Sequence, residues 1–124
     1  MEKIFSQLYN YLHGASYGVN DPLKNFLFST KQNVILIFYI ASQKYKYATL
    51  EDICYNISPK VISRSTVQNI LKEGIRVNFL KKEINDKDKR SKNYILTNEA
   101  IKLMEEWAHR QKEVFSEIDK SGNK

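Results

Sequence analysis

Residues 63–97 read SRSTVQNILKEGIRVNFLKKEINDKDKRSKNYILT, and this stretch predicts an amphipathic helix followed by a β-hairpin. The first part places apolar residues at the spacing of one helix face: Val67, Ile70, Leu71 and Ile75. Ser63 or Ser65 suits the start of this helix, because a serine hydroxyl accepts a hydrogen bond from a first-turn N–H. Gly74 lies on the apolar face, where it either allows a close approach or ends the helix. The opposite face is polar and carries Arg64, Ser65, Gln68, Asn69 and Lys72.

The second part of the stretch predicts a β-hairpin. One strand covers residues 79–84, a polar tip covers 85–92, and a second strand covers 93–97. The tip contains no Asn-Gly type of two-residue turn, so we expect a longer loop. Its basic residues are Lys87, Lys89, Arg90 and Lys92.

Another short helix precedes this stretch. Thr49 starts it, with Asp52 as the partner in a variant capping box, and Ser58-Pro59 ends it. Two short helices joined by a tight link form a helix-turn-helix, whose second helix is free to enter the major groove of DNA. The hairpin that follows is then the wing. The sequence therefore predicts a mainly α fold with a small β-hairpin (α+β), a winged helix-turn-helix.

Two helices are predicted near the N-terminus. Apolar residues recur at helical spacing over residues 3–12, and Gly14 and Gly18 are expected to break that helix. A second, short helix starts with Asp21 as its cap and Pro22 at its first position.

A third helix is predicted over residues 31–44, with Thr30 as its cap. Its middle, residues 34–41, is apolar on every side, which is typical of a helix at the centre of a core. A very short strand is expected over residues 45–48. The Tyr45-Lys46-Tyr47 sequence within it either stacks on single-stranded bases or, as we favour, supplies core and wedge residues.

The last helix starts at Thr97 or Asn98 and runs for about 20 residues. Its apolar stripe is too long for a small core to cover alone, and such a stripe on a terminal helix is often a dimer seam. The alternative is that the two terminal helices pack against each other within one chain. The predicted homodimer interface comprises Ile4, Phe5, Leu8, Leu12, Trp107, Gln111, Val114, Phe115 and Ile118.

Length and charge agree with this arrangement. A chain of 124 residues suits one domain, with residues 30–97 as the DNA-binding lobe and residues 1–29 and 98–120 as dimerisation helices. The net charge is +6, and residues 58–97 carry ten Lys and Arg against four acids. The whole excess of positive charge therefore lies in the helix–hairpin region, as expected for a polyanionic partner.

At the hairpin the chain resembles the MarR family of winged-helix transcription regulators. The wing of that family follows the pattern Asp-x-Arg-Asp-x-Arg, then a strand ending in Leu-Thr. Here Asp88 and Arg90 match the second Asp and the last Arg, whereas Asn85 and Lys87 replace the first Asp and the first Arg. Residues 94–97, Tyr-Ile-Leu-Thr, match the strand. The resemblance implies that Arg90 enters the minor groove and that Asp88 helps to hold the wing tip.

The resemblance covers residues 29–103. The sequence Ser65-Thr66-Val67, with Leu71 and Gly74-Ile75 downstream, looks like the start of the family's recognition helix. It further implies a homodimer with interlocked N- and C-terminal helices that binds pseudo-palindromic DNA. This chain has one long C-terminal helix where the family commonly has two.

The predicted function is that of a sequence-specific regulator bound to double-stranded DNA. Short polar side chains near a helix start can read base edges, and basic wing residues suit phosphates and the minor groove. The alternative is a winged-helix module for protein–protein interaction in a replication, transcription or partition complex. The candidate DNA-binding residues are Ser63, Arg64, Ser65, Thr66, Gln68, Asn69, Lys72, Lys87, Asp88, Lys89, Arg90 and Lys92.

Several other classes of protein are not indicated. The sequence has no phosphate-binding glycine loop and no nucleophile signature, so we expect no enzyme and no cofactor. His13 and His109 belong to no cluster with metal-ligand spacing. Cys54 falls on an apolar helix face and is expected to be a buried, inert thiol.

Without a signal peptide or an apolar run of membrane length, the expected location is the cytoplasm. A small-molecule effector, the operator and the direction of regulation stay open.

Overall fold

The computed structural model describes the backbone of residues 1–17 and 21–122 and the side chains of residues 1–14 and 21–116. Within these ranges it has six helices and three strands. In chain order they are α1 (Glu2–Tyr17), α2 (Pro22–Leu27), α3 (Lys31–Ser42), β1 (Tyr47–Thr49), α4 (Leu50–Asn56), α5 (Arg64–Arg76), β2 (Leu80–Ile84), β3 (Lys92–Leu96) and α6 (Asn98–Gly122).

The helix starts follow the capping residues of the sequence. The side chain of Asp21 accepts the N–H of Lys24 at 3.1 Å, and Thr30 and Ser63 cap α3 and α5 in the same way. Thr49 and Asp52 form the predicted capping box at the start of α4. Because each cap satisfies an N–H that the helix leaves open, these starts are determined locally.

The ends of the helices differ from the prediction more than their starts do. The break expected at Gly14 is wrong, since α1 continues through it to Tyr17, and Gly18 lies outside the described residues. A single glycine costs a helix only about 1 kcal/mol, which the other residues of α1 offset. Helix α6 has 25 residues, more than the 20 or so expected.

The core lies between α3, the helix-turn-helix and the inner face of the sheet. Leu36, Ile37 and Ile40 of α3 are fully buried within it. Burial on every side of α3 is not observed, because Phe38 is exposed. Phe38 instead packs against the ring of Trp107 in α6, with ring centroids 5.8 Å apart.

The three strands form one antiparallel sheet in the order β1-β3-β2. The wing hairpin pairs Leu80 with Leu96, and the short strand β1 pairs Ala48 with Tyr94 on the other side of β3. Leu80, Leu96 and Ala48 are buried. The inner face of the sheet thereby joins the core, while the tip of the hairpin extends away from it.

A tight connection fixes α5 against the wing. Asn78 adopts a left-handed conformation with φ of 66°. The N–H of Phe79 donates to the carbonyl of Gly74 at 2.8 Å, and the N–H of Asn78 donates to that of Ile75 at 3.1 Å, which together form a Schellman cap. The buried Thr97 hydroxyl donates to the carbonyl of Asn78 at 2.8 Å. This hydrogen bond connects the residues that follow α5 with the residue that precedes α6.

Gly74 allows α5 to approach β2 closely. A Cβ atom at this position would lie 2.7 Å from Cδ1 of Leu80 and 3.1 Å from Cζ of Phe26. Gly74 therefore permits close packing and does not end the helix, because α5 continues to Arg76.

Candidate nucleic-acid interface

The polar face of α5 is exposed as a set. Ser65, Gln68, Asn69 and Lys72 all lie on it with exposed side chains. Ser63 serves as the N-cap, and its hydroxyl contacts the hydroxyl of Thr66 at 2.9 Å. These two hydroxyls are therefore partly engaged in holding the helix start, whereas Gln68 and Asn69 present amide groups that can both donate and accept.

Arg64 is held by an acid that the sequence analysis missed. Its Nη2 donates to Oε1 of Glu51 at 2.6 Å, and its Nη1 donates to Oε2 at 3.4 Å. The hydrogen bond and the charge of Arg64 lower the pKa of Glu51, and the same hydrogen bond and the carboxylate charge raise the pKa of Arg64. In the free protein this predicted base-reading residue is therefore paired with the first turn of α4.

Side-chain hydrogen bonds hold the wing tip. Oδ1 of Asn85 accepts the N–H groups of Lys87 at 2.9 Å and Asp88 at 3.2 Å, and Nδ2 of Asn85 donates to Oδ1 of Asn93 at 2.9 Å. Asp88 accepts the N–H of Arg90 at 3.0 Å. Asn85, which departs from the family pattern, thus performs the turn chemistry expected of Asn and Asp.

The basic side chains of the wing are open to solvent. The Arg90 side chain is 97% exposed, with Nε 3.7 Å from Oδ1 of Asp88. Lys87 and Lys89 are exposed as well, and Lys92 is half-buried in β3. The tip therefore presents exposed cations on a backbone held by side-chain hydrogen bonds.

Two shallow grooves border the first turn of α4. One, of about 280 Å³, is lined by residues of the first turn of α4 and of the wing, including Glu51, Arg90 and Lys92. The other, of about 500 Å³, lies between α4 and the start of α5 and includes Glu51, Cys54 and Arg64. Glu51 borders both, so it lies between the start of α5 and the wing cations. Cys54 is half-buried rather than buried.

The predicted dimer residues divide into two groups. Ile4 and Val114 are already buried in the single chain, where α1 contacts α6, so they contribute to packing within the chain. Phe5, Leu12 and Phe115 are 61%, 45% and 51% exposed. The half-buried members are Leu8, Trp107 and Gln111, and the side chain of Ile118 lies outside the described residues.

Two further surfaces lie away from α5. The rings of Tyr45 and Tyr47 stack with centroids 6.3 Å apart and are exposed, so the part of the favoured interpretation that placed core residues here is wrong for these two rings. An open apolar cavity of about 400 Å³ lies between α3 and α6, with Phe38, Met104 and Trp107 among its lining residues.

Over the described part of the chain, His, Cys, Asp and Glu do not form a group of three or more that could hold a metal ion. None of the described helices combines the length and apolar character needed to cross a membrane.

A helix-turn-helix followed by a β-hairpin wing, here part of a three-stranded sheet, defines the winged helix-turn-helix class. No protein-family model and no curated protein sequence matches the chain. Among solved structures, AbsC, a MarR family transcriptional regulator from Streptomyces coelicolor, matches with a TM-score of 0.55 and 13% identity over 97% of this chain and 87% of AbsC.

Two other solved structures match with slightly lower TM-scores. A mutant of Lactococcus lactis ZitR in its apo form has a TM-score of 0.53 and 19% identity, over 96% of this chain and 81% of that one. The adhesin competence repressor AdcR from Streptococcus pyogenes has the same TM-score and identity, over 100% of this chain and 82% of that one. At these identities the shared property is the fold. The chain has the MarR-type winged-helix fold, which confirms the predicted fold class.

Proposed function

We propose that the protein is a transcription regulator that binds double-stranded DNA in a sequence-specific way as a homodimer. The observation that carries this proposal is the joint exposure of the polar face of α5 and of the cationic side chains of the wing. A helix face rich in amides and hydroxyls suits base edges in the major groove, and a basic wing suits phosphates and the minor groove.

Each part of the interface has a proposed role. Arg64, Ser65, Thr66, Gln68 and Asn69 contact bases, with Ser63 capping the helix that presents them. Arg90 enters the minor groove, Asp88 supports it, and the remaining lysines contact phosphates. The phosphate-contacting lysines are Lys72, Lys87, Lys89 and Lys92.

The proposal divides the chain into a DNA-binding lobe and two dimerisation segments, and exposed apolar side chains on the terminal helices support this division. Residues 30–97 form the DNA-binding lobe, and residues 1–29 and 98–120 supply the dimer interface. Phe5, Leu12 and Phe115 are the exposed apolar side chains that a second copy would cover. Dimerisation would place two copies of α5 on a pseudo-palindromic site.

Fluorescence anisotropy with a random duplex, measured over a series of salt concentrations, tests the proposal. We expect steep salt dependence, because each phosphate contact releases counterions. Arg90→Ala should reduce the slope of log affinity against log salt by about one. Lys102→Ala removes the same charge from an exposed position on α6, outside the proposed interface, and should leave the slope unchanged.

Two further measurements complete the test. Gln68→Ala or Asn69→Ala should relax specificity at a defined base by roughly 1–3 kcal/mol. Light scattering should give twice the mass of the chain. Absence of duplex binding at low salt would refute the proposal and favour the protein–protein interaction module.

A further inference from the structure

The Arg64–Glu51 pair places a negative charge within an otherwise basic surface. The net charge of residues 58–97 is strongly positive, and the two grooves that Glu51 borders contain Arg64, Arg90 and Lys92. An acid in this position opposes the approach of DNA phosphates. It therefore needs an explanation other than general affinity for DNA.

The Arg64–Glu51 ion pair is not needed to stabilise the fold. The side chains of Arg64 and Glu51 are 53% and 73% exposed, and exposed ion pairs contribute little to stability. The neighbouring acid, Asp52, already forms the capping box that holds the start of α4. Glu51 is thus the first-turn acid of α4 whose carboxylate is directed to α5.

The geometry of the pair leaves part of Arg64 available. The carboxylate receives one N–H from each Nη atom, and a guanidinium has five N–H donors. The remaining donors, including Nε–H, can still form the bidentate contact that arginine makes with O6 and N7 of guanine. A phosphate is different, because it competes with the carboxylate for the same cation and is repelled by it.

We propose that Glu51 determines specificity by holding Arg64 for a base edge and keeping it away from DNA phosphates. This inference rests on the proposed function. In this role Glu51 is a positioning residue, since it acts through Arg64. The ligand that Arg64 would recognise is a guanine in the major groove.

The variant Glu51→Gln tests this inference with two probes: a random duplex, and a duplex that the wild-type protein selects from a random pool. Freed from the carboxylate, Arg64 should contact a phosphate. Affinity for the random duplex should rise, and the salt slope should become steeper by about one. The ratio of the affinity for the selected duplex to the affinity for the random duplex should fall by about tenfold. This is the discrimination that one bidentate base contact provides.

Two controls separate this effect from a general change of charge. Glu83→Gln makes the same charge change in β2, where Glu83 lies 3.6 Å from Lys81, and should leave the ratio unchanged. In an Arg64→Ala background, Glu51→Gln should change the ratio no further, because the residue through which Glu51 acts is gone.

Each outcome has one meaning. Equal effects of Glu51→Gln and Glu83→Gln would overturn the inference while DNA binding stands. A loss of specificity on adding Glu51→Gln to Arg64→Ala would also overturn it, since Glu51 would then read a base itself. A wild-type protein that binds no duplex at low salt would refute the proposed function, and the inference with it.

Discussion

Substituting Gly74 by alanine probes the contact that packs α5 against strand β2 of the wing. The added Cβ would lie 2.7 Å from Cδ1 of Leu80 and 3.1 Å from Cζ of Phe26. Carbon atoms pack best at about 3.5–4.0 Å, so Leu80 must withdraw by about an ångström. Leu80 is 1% exposed and Phe26 is 5% exposed. Because both side chains are buried, neighbouring core residues must accommodate any shift of either one.

The magnitude follows from two opposing terms. Overpacking of this kind costs roughly 1–3 kcal/mol, whereas alanine improves helix propensity by about 1 kcal/mol over glycine. The net expectation is a loss of about 1 kcal/mol in the free energy of unfolding. At Gly14 in α1 a Cβ meets nothing within 4 Å, so Gly14→Ala keeps only the favourable term and should gain up to about 1 kcal/mol.

Urea unfolding followed by the fluorescence of Trp107 measures both variants at the same protein concentration. We expect the two stabilities to differ by about 2 kcal/mol, or roughly 8 °C in Tm for a chain of this size. Gly74→Ala as stable as wild type, or more so, would refute the reasoning, because it would mean that Leu80 and Phe26 yield without cost.

Three other predictions concern the connections of the wing. Asn78→Ala should cost about 1 kcal/mol of stability, because φ at this position is positive, while Asn78→Gly should be nearly neutral by the same urea assay. Thr97→Val keeps the side-chain volume but removes a buried hydroxyl with three hydrogen-bond partners, and thermal unfolding should show a loss of about 1–3 kcal/mol. Asn85→Ala removes two hydrogen bonds to main-chain amides of the tip, so hydrogen exchange there should speed up and duplex affinity should fall, with unchanged exchange at the amides of α5.

Much of the candidate site was predictable from local sequence. The exposure of Gln68 and Asn69 follows from the period of the apolar residues on α5, since the face opposite a buried stripe is solvated. The pairing of Arg64 was not predictable, because Glu51 lies thirteen positions earlier and the two residues meet only when α4 and α5 dock. The function of Asn85 could have been found from the preference of asparagine for turns.

The helix starts and the order of the elements could be predicted from local sequence alone. Capping pairs such as Thr49 with Asp52 act over three residues, so no distant contact is needed to define them. The tertiary structure alone decided which apolar residues of the terminal helices are buried in the chain, as Ile4 is, and which stay exposed, as Phe5 does. Both residues fit the same helical pattern, and only the position of α6 against α1 covers one and not the other. The physical reason is that hydrogen bonds within a turn depend on near neighbours, whereas burial depends on how separate elements pack.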